Sequence, residues 1–142
     1  MSIDAAVPAW HAIAILLGRL IFAAVFIMAV SFKFMDMNGT AAYIEAVGFP
    51  ASLLLAWLAA IFEVALIAGF VTGAFFAETC LLAALYIIFL AFAFHGPAHW
   101  QGNQAEFGFF VDHFTFMAGL FFAAVHGPGR ILALRKTFIG RS

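Results

Sequence analysis

Of the 142 residues, 67% are hydrophobic and only 9% are Asp, Glu, Lys or Arg, against roughly 25% charged residues in an ordinary soluble domain. A water-soluble domain of this size buries only about 70% of its unfolded surface. That is too little for a chain with a mean hydropathy of +1.14, so soluble globular and disordered classes are excluded. A net charge of -1 supplies no dense basic face for nucleic acid, and the lone Cys80 forms no internal disulfide.

Four long, nearly charge-free runs follow one another, at about 11–32, 52–71, 74–94 and 108–125. Each is about as long as the ~20 residues that cross ~30 Å of hydrocarbon as a helix. None alternates apolar and polar residues as a barrel strand does. No Lys or Arg precedes Arg19, so the basic start of a signal peptide is missing and the first run is read as a retained helix. The fold class expected is all-α, a polytopic membrane protein with a four-transmembrane-helix bundle, formed as a single domain over residues 1–142.

Between the first two runs, Asn38-Gly39-Thr40 reads as a turn with Thr40 as N-cap. A short interfacial helix over residues 41–47 follows, stopped by Gly48 and Pro50. Thr72-Gly73 leaves room only for a tight hairpin between the second and third runs. Ala65, Gly69 and Gly73, and again Gly119 and Ala123, have the small-xxx-small spacing that lets helix backbones approach. The stretch from His95 to Phe107 reads as a loop. Residues 126–142 form a basic tail with Arg130, Arg135, Lys136 and Arg141, whereas the opposite side offers Lys33. The bias of basic residues places both termini in the cytoplasm.

An isolated charge at a helix centre in hydrocarbon costs about 2.5–3.5 kcal/mol or more, so the ionisable residues within the runs call for partners. Arg19 and Glu63 each lie about eight residues, roughly 12 Å, from the same face. Matched depth and opposite charge predict an Arg19–Glu63 pair, with Glu78 joining from below. A structural ion pair and a proton or ligand site both stay open for it. At the other face Lys33, Asp36, His95, His99, Asp112 and His113 collect near helix ends. Imidazole and carboxylate are good metal ligands. Histidines bonded to water or headgroups are the plainer reading of His95, His99, Asp112 and His113, and no metal is expected. No two-cysteine motif or regular histidine pair marks a haem site. Phe accounts for 20 residues, seven of them between Phe107 and Phe122. Those seven suit lipid-facing and core filler, or the walls of a flat slot for a quinone ring.

Several segments together resemble the DoxX family. They are Gly18-Arg19-Leu20, Lys33-Phe34-Met35-Asp36, Gly39-Thr40-Ala41-Ala42-Tyr43, Gly48-Phe49-Pro50, Phe62-Glu63, Thr72-Gly73, Phe94-His95 and Gly127-Pro128-Gly129-Arg130. The resemblance runs from about residue 14 to 135. It implies a small four-helix protein of a bacterial or archaeal cytoplasmic membrane, and includes subunits of a thiosulfate:quinone oxidoreductase. It puts Arg19, Lys33, Glu63 and His95 at family motif positions. Thr115-Phe116-Met117 stands where many relatives carry Lys-Asn, leaving Asp112 and His113 as the polar groups of that helix.

The function these readings favour is a membrane subunit of a quinone-linked redox system rather than a self-sufficient enzyme. Its candidate catalytic residues are Glu63, Arg19, His95, Asp112 and His113, and its quinone-binding candidates are Arg19, Glu63, Lys33, His95 and His113. The partners expected are membrane lipid and either other redox-complex subunits or further copies of the chain. Two other classes compete: a non-catalytic assembly protein, in which an apolar pair would replace the buried ions without loss, and a small-solute carrier. A carrier calls for helices broken near mid-membrane, and no Pro falls within the four runs.

Overall fold

The computed structural model describes residues 8–139 and, among them, only helices and turns. The helices are α1 (Ala9–Met35), α2 (Met37–Ala46), α3 (Ser52–Thr72), α4 (Phe76–His95) and α5 (Gln104–His126), with a single 3-10 turn at Pro97–His99. Four of them, all but α2, are long and apolar enough to cross a membrane. Residues 8 and 127–139 lie at one end of the bundle, called here the terminal end. The α1–α2 junction and the α4–α5 connection lie at the far end.

The helix ends shift from the sequence reading by up to four residues, and two starts, those of α2 and α5, move the most. Asp36, not Thr40, caps the short helix. It leaves helical geometry (φ -146°), and its carboxylate accepts the Gly39 amide at 2.8 Å. A Cβ on Gly39 would sit 2.3 Å from the Asp36 carboxylate, so this cap requires glycine at that position. Helix α2 therefore starts at Met37 and packs its Ala41 and Ile44 against Ala56 of α3, with Phe49 and Phe94 alongside. Helix α5 starts at Gln104 rather than 108, because Gln104-Ala105-Glu106 are good helix formers.

Helix α1 packs on α3 and α4 packs on α5. Between α1 and α5 the contact is made by side chains: Phe22 and Phe26 meet Phe116 with ring centroids 5.3 and 6.0 Å apart. Phe26 also stacks on Phe70 at 5.8 Å, which ties the α1–α3 pair into a core with Phe76, Cys80, Ala83 and Leu120. Gly69 admits the side chain of Thr79, since an added Cβ would lie 2.1 Å from its Oγ1. Ala65, on the same expected stripe, is exposed. Gly119 meets only the Phe22 ring, at 3.6 Å.

The tail is docked on the bundle. Leu134 donates its amide to Thr72 O at 2.9 Å, and Phe138 stacks on Phe75 at 4.6 Å. Glu78 Oε1 accepts from the Thr137 hydroxyl at 2.8 Å, from the Ile139 amide at 3.0 Å and from the Phe138 amide. Glu78 thus anchors the tail and takes no part in a buried ion pair. Arg141 lies outside the described residues.

Candidate functional site

Arg19 and Glu63 are both 1% exposed, as residues needing compensation must be, but they do not pair. The Arg19 guanidinium donates only to backbone carbonyls. Nε reaches Phe70 O at 3.0 Å, and Nη2 reaches Val71 O at 2.7 Å and Leu132 O at 2.8 Å. Nη1 reaches Pro128 O at 3.0 Å and Ile131 O at 2.9 Å. All five guanidinium N–H groups are used. Two of the acceptors belong to the last turn of α3, whose carbonyls are left open by the helix and form its negative end. The cation is neutralised by dipoles and pins the tail to the bundle.

Glu63 is compensated from the other direction. Its Oε1 accepts from Lys33 Nζ at 2.8 Å and from the Tyr86 hydroxyl at 2.8 Å. Its Oε2 is buried without a hydrogen-bond partner. The reason for the exchange of partners is the lean of helical side chains, which tilt toward the N-terminus of their own helix. Helices α1 and α3 run antiparallel. Arg19 therefore leans toward the terminal end and Glu63 toward the far end, and their tips diverge. Glu63 also sits seven residues, about 10 Å, from the Phe70 carbonyl that Arg19 grips. Lys33 leans toward the terminal end and converges on Glu63.

Tyr86 was absent from the sequence-derived candidates. It was accessible by counting from the hairpin: Glu63 is nine residues before the end of α3, and Tyr86 is ten residues after the start of α4. The two therefore stand at matched depth on adjacent antiparallel helices.

At the far end His95 and His113 come together, with ring centroids 5.1 Å apart. His95 Nδ1 donates to Glu106 Oε2 at 2.6 Å and His113 Nδ1 donates to Phe109 O at 2.6 Å. A backbone carbonyl can only accept, so His113 Nδ1 holds its hydrogen and its Nε2 is left for another group; the Nε2 of His95 likewise has no partner among the described residues. Trp100 Nε1 donates to His95 O at 2.8 Å and closes the α4–α5 connection. The four groups weighed together as metal ligands do not assemble into a set that could hold an ion, and His99 and Asp112 are exposed. Asp36 is engaged in capping α2.

A cavity of about 1000 Å³ joins the two constellations. Lys33 and Tyr86 line it on the Glu63 side, and His95 and His113 line it at the far end. From Tyr86 to His95 it follows α4 for nine residues, about 13 Å. Its aromatic walls come from Phe32, Tyr43, Phe49, Phe62, Phe89 and Phe94. The Phe residues of α5 do not line it. Phe116 packs in the core against Phe22 and Phe26, Phe110 and Phe114 pack against Phe92, and Phe121 and Phe122 are exposed. The Tyr43 ring stacks on Phe94 at 5.1 Å. Burial, and then the Glu106 charge, hold its phenol above the usual tyrosine range.

Four hydrophobic helices around buried, internally compensated charges define a multi-pass membrane protein. The family model of DoxX matches residues 14–96, more than half of the chain. The chain belongs to the DoxX family. That match covers Arg19, Lys33, Glu63, Tyr86 and His95, and stops before α5 and the tail. The chain matches no curated protein and no solved structure.

Proposed function

We propose that this chain is the membrane subunit of a quinone-linked redox system, and that the cavity bounded by α1 to α4, with His113 of α5 at its far end, receives the quinone ring. The observation that carries this reading is a single cavity of about 1000 Å³ with aromatic walls and ionisable groups at both ends. Ligand sites are mostly apolar clefts of ~300–1,000 Å³ with a few placed polar groups. A quinone has a flat apolar ring and two opposed carbonyl oxygens, which suits such a lining. Lys33 Nζ, which keeps N–H groups beyond the one given to Glu63, supplies a donor near one oxygen, and the imidazoles of His95 and His113 stand near the other. Bound there, the quinone would accept two electrons and two protons, the electrons coming from a partner subunit.

The residues themselves would manage protons and orientation. Glu63 Oε2, buried and without a partner, is a place to hold a proton. Lys33 and Tyr86 stand between that carboxylate and the cavity. Arg19 is not offered as a ligand here, because its five donors are already bonded to carbonyls. Asp112, exposed and not on the cavity wall, is likewise left out.

We further place the protein in a bacterial or archaeal cytoplasmic membrane with both termini cytoplasmic. Arg130, Arg135 and Lys136 are exposed at the terminal end, while Lys33 near the far end is tied to Glu63. That bias agrees with the preference of cytoplasmic loops for Lys and Arg.

The test is purification in mild detergent, extraction and identification of bound quinone, and titration with a short-chain quinone read by quenching of tryptophan fluorescence. Lys33→Met is expected to weaken binding about tenfold, the worth of one lost hydrogen bond to the ligand, and Tyr86→Phe, whose hydroxyl hydrogen is given to Glu63, to weaken it less. Protein that carries no quinone, shows no quenching and keeps its host's quinone reduction after Glu63→Gln would instead support an assembly role.

A further inference from the structure

A second cavity, of about 630 Å³, opens at the terminal end between the start of α1, the start of α4, the end of α5 and the tail. Five side chains on its wall are cationic or can become so: His11, His126, Arg130, Arg135 and Lys136. Among the described residues no carboxylate lines it. The nearest acid in sequence, Glu78, follows lining residue Ala77, and its Oε1 is engaged by Thr137, Phe138 and Ile139. Arg130 and Lys136 are exposed, with no side-chain bond among the described residues. Excess positive charge is thus gathered around a concave site.

The inner side of this cavity is apolar and continues into a narrower fissure of about 280 Å³ between α1 and α5. The two spaces share Ile15, Phe76, His126 and Gly127. The fissure climbs α5 from His126 to Gly119, about 10 Å, past Phe22 and Phe122. It exists because α1 and α5 meet through aromatic side chains instead of packing closely, and because Gly119 presents no side chain there. Phe122 is among the most exposed large side chains, at 79%, so the fissure is open toward the surrounding lipid.

A basic cup above an oily slit matches an amphiphile with an anionic head. We infer that this site binds an anionic phospholipid of the membrane, its phosphate in the basic cavity and an acyl chain in the α1–α5 fissure. Basic pockets between membrane helices are suited to such headgroups, and each Lys or Arg near the surface adds a comparable increment of attraction. The inference does not depend on the quinone reading, since it uses a different cavity and different residues.

The experiment uses the full chain in detergent, with native mass spectrometry counting retained phosphatidylglycerol against phosphatidylcholine. Wild type is expected to retain phosphatidylglycerol selectively. Arg130→Gln with Lys136→Gln is expected to weaken that retention about 25-fold, roughly fivefold per charge, with the melting temperature unchanged. Gly119→Leu, which fills the fissure, is expected to weaken the lipid while leaving the basic cavity intact. Inorganic phosphate and glycerophosphate are added as competitors. If either displaces the lipid at equal concentration, the site is one for free anions and the acyl part of the inference falls. Equal retention of both lipids, or indifference to the charge substitutions, overturns the inference altogether.

Discussion

The exchange of partners at Glu63 makes a measurable prediction about coupling. Glu63 is 1% exposed, and its Oε1 depends on Lys33 and Tyr86, each at 2.8 Å. Removing one partner of a buried pair leaves an uncompensated charge, at a cost of about 3–5 kcal/mol. Lys33→Met should fall in that range. Glu63→Leu in the Lys33→Met background should recover much of the loss, because the orphaned carboxylate is gone and only the Tyr86 hydroxyl is left without its acceptor, at about 1–3 kcal/mol. Glu63→Leu alone orphans the same hydroxyl, so that cost cancels from the full cycle and the coupling energy expected is about 3–5 kcal/mol, the cost of the orphaned carboxylate. The parallel cycle of Arg19→Met with Glu63→Leu should show additivity within about 0.5 kcal/mol, as for groups without a shared partner. Both cycles can be read from equilibrium unfolding in micelles or bilayers. Additive behaviour of Lys33 with Glu63, or coupling above about 1 kcal/mol between Arg19 and Glu63, would refute the argument from side-chain lean.

Three further outcomes are expected. Arg19→Lys replaces five N–H donors by three, so at least two of the five gripped carbonyls lose their donor. At about 1.5–3 kcal/mol per charged hydrogen bond, the variant should lose some 3 kcal/mol or more, and trypsin should cut faster at Arg130, Arg135 and Lys136; unchanged protection of the tail would count against the clamp. Gly69→Ala drives a methyl against Thr79, whose Oγ1 would lie 2.1 Å away. The overpacking should cost about 1–3 kcal/mol and be partly relieved by Thr79→Ala, and a fully tolerated Gly69→Ala would mean that α3 and α4 do not approach there. Cys80 is fully buried in the core and should resist maleimide until the protein is denatured, whereas prompt labelling would contradict the packing of α4.

Much of this architecture can be read one helix at a time. Runs of apolar residues long enough to span hydrocarbon announce α1, α3, α4 and α5, because the cost of exposing backbone and charge to lipid acts on every segment separately. The turn at Gly73 and the need to compensate Arg19 and Glu63 are equally local facts. The start of α5 was harder. Its first turn is polar, so a hydropathy reading begins at Gly108 and misses Glu106, the acid that orients His95. Tyr86 was hidden for the opposite reason, as a lone hydroxyl in an apolar run that draws no notice until its neighbour is known.

What composition and hydropathy determined, then, is the solvent, the number of spans and the set of charges that must be neutralised. Which group neutralises which was decided only by the assembled bundle. Antiparallel helices aim their side chains in opposite directions, so Lys33 reaches Glu63 and Arg19 cannot. The carbonyls that satisfy Arg19 come from the end of one helix and from a tail more than a hundred residues away in the chain. Backbone acceptors carry no signature in the sequence, since every residue has one. Their gathering around a single guanidinium is a property of tertiary structure alone.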